Sequence, residues 1–158
     1  MPYLMMIHVT FGTLAILAGF IAMCAPKGRK YHIQSGKAYV VSMVIMSIAG
    51  GVYAVIDPQA INVLAATLTI YLVLTSWHAG KTKVLSRGRV EVAGLVAIFL
   101  VTSITLGLAG YILLTPAESV HGYGADAYLT IGLMALVALI ADISLLIRGR
   151  VEGRSRIV

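Results

Sequence analysis

The sequence predicts an all-α, polytopic transmembrane bundle of about five spanning helices, and three observations predict it. Of 158 residues, 59% are hydrophobic and only 11% charged, with a mean hydropathy of +0.95. A soluble domain of this size needs far more polar surface, so the bilayer is the solvent. The apolar residues gather into five runs of membrane-crossing length. All 12 basic residues fall into three short clusters that follow the first, third and fifth runs.

The first run covers residues 3–24, about 33 Å of helix at 1.5 Å per residue, enough to cross the hydrocarbon core. A secretory signal peptide is the rival reading, but no positive residue precedes the run and Lys27, Arg29 and Lys30 follow it. Met23 before Cys24 is too large for a lipoprotein processing site, so a retained helix is expected. Within it Gly12, Ala15, Gly19 and Ala22 recur at three and four residues and form a small-residue stripe, one turn after His8 on the same face.

The second run is expected over 38–56 and the third, the shortest, over 61–77. Thr67, Tyr71 and Thr75 share one face of the third, which reads as a packing face. The fourth is expected over 92–115 and the fifth over 127–147, where Gly132, Ala135 and Asp142 share a face. All four prolines, Pro2, Pro26, Pro58 and Pro116, lie outside the runs, where a missing backbone donor is harmless. Trp77 and the tyrosines Tyr3, Tyr53, Tyr111, Tyr123 and Tyr128 lie near expected interfaces, the usual place for ring anchors.

Charge orients the chain. Lys27, Arg29, Lys30 and Lys37, then Lys81, Lys83, Arg87 and Arg89, then Arg148, Arg150, Arg154 and Arg156 occupy one side, while the opposite loops carry Asp57, Glu118 and Asp126. Short basic loops stay cytoplasmic, so the expectation is an inner-membrane protein with its N-terminus outside and its C-terminus inside. The same loops suit anionic lipid headgroups. The high pI of about 9.7 does not imply nucleic acid, because no basic patch on a polar surface accompanies it. A homo-oligomer or larger membrane complex stays open as a partner class.

Function must lie within the bilayer or at its surfaces, since no soluble domain, repeat, phosphate loop, zincin helix or nucleophile elbow is visible. A single cysteine excludes a disulfide framework and any CxxC metal or redox motif. Asp142, about six residues inside the end of its helix, is costly as a lone carboxylate and is expected to have a partner on another helix. His32, Lys37, His78 and Glu91 lie at a similar depth; the commoner outcome is an interhelical pair that fixes packing, and the sharper one is proton handling. The histidines divide by depth, His8 and His121 toward the outer surface, His32 and His78 toward the inner one. Two at each side could ligate one haem b each through neutral imidazole nitrogens, and the commoner alternative for each is a helix-packing hydrogen bond. His8 is the strongest candidate because it alone lies well inside an expected helix.

The pattern His8-x-x-x-Gly12, Gly19, Pro26-Lys27-Gly28, His32, Gly36, Ser42-Met43, Asn62-Val63-Leu64, Tyr71-Leu72-Val73 and Trp77 resembles a family of bacterial predicted membrane proteins catalogued as domain of unknown function 2306. The resemblance covers about the first 80 residues and continues more loosely. It implies a polytopic inner-membrane protein with no established reaction and shared polar positions at His8, Lys27, His32 and Trp77. It also implies one or two further spans in longer members, so a site completed by those helices would be missing here. Three functions stay open: a non-catalytic membrane protein, first on base rate; a haem- or quinone-binding redox protein; and a small permease or proton pathway through Asp142. A hydrolase on Ser35 or Ser42 is a distant fourth, because nothing local marks an activated serine.

Overall fold

The computed structural model describes residues 2–81 and 89–148. They form five α-helices in chain order: α1 (Pro2–Cys24), α2 (Lys30–Ile56), α3 (Ala60–Lys81), α4 (Arg89–Leu114) and α5 (Ala125–Arg148). All five are long and apolar enough to cross a membrane, which makes the chain a multi-pass helical protein. Phe20, Met23, Leu114 and Val137 are more than half exposed. In water such a surface would drive association; in lipid it is the solvent-facing side.

The expected order and number of helices hold, but their ends differ. The α2 helix starts at Lys30 rather than at residue 38 and runs 27 residues, about 40 Å against a hydrocarbon core of about 30 Å. Hydropathy marks where the chain enters hydrocarbon. Intrahelical hydrogen bonds continue through the headgroup layer, where Lys30, Gln34 and Lys37 are good helix formers. His32 and Lys37 therefore ride on a helix. At its other end α3 continues to Lys81 and places Trp77 and His78 in its last turns.

The chain divides into two compact units, Met1–Val73 and Leu74–Val158, each described by itself. In the first, α1 and α2 pack as an antiparallel hairpin. Their connection is a turn in which the Arg29 N–H donates to the Pro26 carbonyl at 3.2 Å, and Gly28 takes the positive φ of 84° that a type II turn needs. The small-residue stripe faces α2: Ala15 is buried, and a Cβ added to Gly12 or Gly19 would meet Met46 or Tyr39 at 3.2 and 3.1 Å. Helix α3 follows after Asp57-Pro58-Gln59, whose Gln59 amide donates to the Asp57 carboxylate at 3.1 Å.

In the second unit α4 packs against α5. Ile98, Thr105, Ala109, Tyr128 and Ala135 are buried completely, and Gly132 lets Leu106 and Thr105 approach so closely that a Cβ there would sit 2.6 Å from Leu106. Tyr128 departs from the expected interfacial anchor: its ring is fully buried and its hydroxyl donates to the Val120 carbonyl at 3.2 Å. That bond ties α5 to the loop, where Val120 and Tyr123 exchange backbone hydrogen bonds across His121 and Gly122. Both central residues have positive φ, 50° and 79°, the signature of a type I′ turn.

Candidate functional site

The two histidines of the α1–α2 hairpin use the same device. His8, half-buried on α1, places its Nδ1 2.9 Å from the Met46 carbonyl oxygen of α2. His32, half-buried on α2, places its Nδ1 2.9 Å from the Ala22 carbonyl oxygen of α1. A carbonyl oxygen only accepts, so each Nδ1 carries the proton and each ring is locked in one tautomer. Nε2 is then the basic nitrogen of the neutral ring. Neither Nε2 has a protein partner among the described residues, and neither is sealed away from the surface.

Local sequence explains both positions. The His8 ring fits against Gly50, where a Cβ would lie 2.6 Å from Nδ1, so only glycine leaves room for it. Ala22 is in the last turn of α1, whose final carbonyls have no intrahelical donor. The imidazole of His32 supplies that donor from the opposing helix. Fourteen residues separate His8 from Ala22, close to four full turns, so the two devices occupy one seam about 21 Å apart along α1.

The remaining candidates belong to the second unit or lie elsewhere on the first. His78 is half-buried in the last turn of α3 and is engaged by a neighbour. His121 is exposed at the tip of the type I′ turn. Asp142 is half-buried on α5 and is engaged as well. Lys37 is exposed on α2, with Lys27, Arg29 and Lys30 exposed nearby in sequence. Glu91 lies in the first turn of α4, with its side chain outside the described residues, as are Lys83, Arg87, Arg150, Arg154 and Arg156.

Among the described residues no three His, Cys, Asp or Glu side chains converge to hold a metal ion. Such a convergence is what a bare-metal centre of three or four protein ligands requires. It does not bear on haem, whose porphyrin provides four of the iron's six ligands and for which one imidazole can be the only axial protein ligand.

Hydroxyls in the helices are mostly absorbed by their own backbone. Thr67, Thr69, Thr102, Thr105 and Ser144 each donate to the carbonyl four residues earlier, at 2.7 to 2.9 Å. Ser47 is different: its hydroxyl is buried without a partner. It lies beside an apolar groove of about 330 Å³ between α2 and α3, lined also by Gly51, Val55, Ala66, Thr67 and Ile70. The hydroxyl itself has no accessible surface, so an occupant of the groove would not reach it.

Sequence reasoning identified the histidines but not what orients them. Gly50 was the readable trace, a glycine inside a long apolar run where only a close approach favours it. No family model, no curated protein and no solved structure matches the chain, so the site is argued from its own geometry.

Proposed function

We propose that the chain is a multi-pass protein of the cell inner membrane that holds haem b through histidines of the α1–α2 hairpin. The observation that carries this reading is the pair of Nδ1–H bonds to backbone carbonyls, which leave both Nε2 atoms as oriented, unpartnered bases. A hydrogen bond from the distal ring nitrogen to a carbonyl is what fixes the tautomer and strengthens a histidine ligand. Depth adds weight. His8 lies about 9 Å along α1 from Pro2, where a bare acceptor facing hydrocarbon is costly and a ligand removes the cost. The resemblance to bacterial membrane proteins and the basic-loop asymmetry support the inner membrane, with the N-terminus outside and the C-terminus in the cytoplasm.

The test is an absorption spectrum, oxidised and dithionite-reduced, of protein purified in mild detergent from cells supplied with haem precursor. The expected result is a Soret band with separate α and β bands on reduction, lost or halved in His8→Asn. A featureless wild-type spectrum at good yield removes the reading.

A second reading has its own observation, since the same hydrogen bonds already join α1 to α2. Here the histidines are clasps only, and the chain is non-catalytic, meeting anionic headgroups through the exposed Lys27, Arg29, Lys30 and Lys37. The two readings part on one pair of variants. An asparagine at position 8 keeps a donor near Nδ1 but has nothing in place of Nε2, whereas alanine has neither. Clasps alone predict a wild-type melting midpoint for His8→Asn, a loss of about 1 kcal/mol for His8→Ala, and no visible chromophore in any form.

A further inference from the structure

The seam has two ends, and each is equipped. We propose that the α1–α2 hairpin supplies the first axial ligand of two separate haem sites, His8 at one and His32 at the other. This rests on the haem reading above. It goes further by giving the number of sites, their independence and their placement across the bilayer.

The argument is one of repetition in two directions. His8 projects from α1 and is locked by a carbonyl of α2; His32 projects from α2 and is locked by a carbonyl of α1. A histidine needed only to join the helices could form one such bond anywhere along the contact. Here the bonds stand about four helical turns apart, with the small residues Gly12, Ala15 and Gly19 between them along α1. A separation of about 21 Å along α1 is most of the thickness of a hydrocarbon core of about 30 Å. One porphyrin cannot be ligated by both imidazoles across that distance, because two axial ligands of one iron face each other within a few ångström. If both Nε2 atoms bind iron, they bind different irons, one near each membrane surface.

The two ends also differ in surroundings. His8 lies six residues into α1, with its ring against the Met46 carbonyl and Gly50 of α2. His32 lies in the first turn of α2, which begins at the exposed Lys30. An iron held at the start of α2, where Lys30 is exposed, and one held further along the hairpin would differ in reduction potential.

The experiment is a haem-to-protein ratio by pyridine haemochrome on purified wild type, His8→Asn, His32→Asn and the double variant, with far-UV circular dichroism as the fold control. Asparagine retains a donor for each carbonyl. The expected ratios are two, one, one and none, with a redox titration of wild type resolving two components. Counting ferric haem signals, high-spin and low-spin together, by electron paramagnetic resonance on wild type needs no variant and should also give two. A ratio of one in wild type, unchanged by His32→Asn, overturns the second site and leaves the haem reading standing. Loss of both haems in a correctly folded His8→Asn overturns their independence. No haem in wild type removes the haem reading itself, and this proposal with it.

Discussion

At the scale of single residues, the informative atoms are backbone carbonyls, and sequence does not display them. The depth of His8 and its place one turn before Gly12 were readable from spacing. That its Nδ1 would meet the oxygen of Met46 was not, because any side chain at position 46 presents the same carbonyl. The readable consequence is at Gly50, where even one added carbon conflicts with the ring. Gly50→Ala should push the imidazole off its carbonyl and cost about 1 to 3 kcal/mol, seen as a lower thermal midpoint. On the haem reading proposed above it should also lower haem occupancy, although neither histidine has been changed. Unchanged stability and occupancy would mean that the ring is not packed against this glycine. Tyr128 teaches the same lesson from the other unit. Its ring content suggested an interface, yet its hydroxyl ties down the Val120 turn. Tyr128→Phe should cost about 1 kcal/mol and speed amide exchange at Tyr123, whose N–H closes the turn.

At the scale of elements, the number, order and type of helices were legible because each span must satisfy its own backbone in lipid and must be apolar to be there. Their ends were not, because helical hydrogen bonding does not stop where hydrocarbon does, and α2 accordingly begins eight residues before its apolar run. The small-residue faces were legible as spacing, and glycines on one helix pair separate contact from open surface. A Cβ at Gly132 meets Leu106 and Thr105, whereas one at Gly107 meets nothing within 4 Å. Gly132→Leu should therefore pry α5 from α4 and lower the midpoint by several degrees. Gly107→Leu, placed in open space, should leave it unchanged or raise it slightly through better helix propensity. Equal effects of the two would show that the α4–α5 contact is not where the close approach lies.

At the scale of the whole molecule, charge asymmetry predicts an orientation that labelling can read. In a Cys24→Ser background, single cysteines at Gln59 and at Lys27 lie in loops that the topology assigns to opposite sides. A membrane-impermeant maleimide added to intact cells should label Gln59→Cys and spare Lys27→Cys; the reverse pattern would invert the protein. Function was the least legible property, for a physical reason. Ligation needs a donor, a tautomer and an approach path, and only the donor is written in the one-letter code.

The clasped hairpin also bears on how the protein is made. Both histidine bonds join residues among the first 46 of the chain, and the type II turn between the helices is encoded by four adjacent residues. Chains fold from the N-terminus as they leave the ribosome. The hairpin can thus close and fix both imidazole tautomers while the ribosome still holds α4 and α5. The seam then reaches its final form early in synthesis, with both imidazoles oriented before the rest of the chain is made.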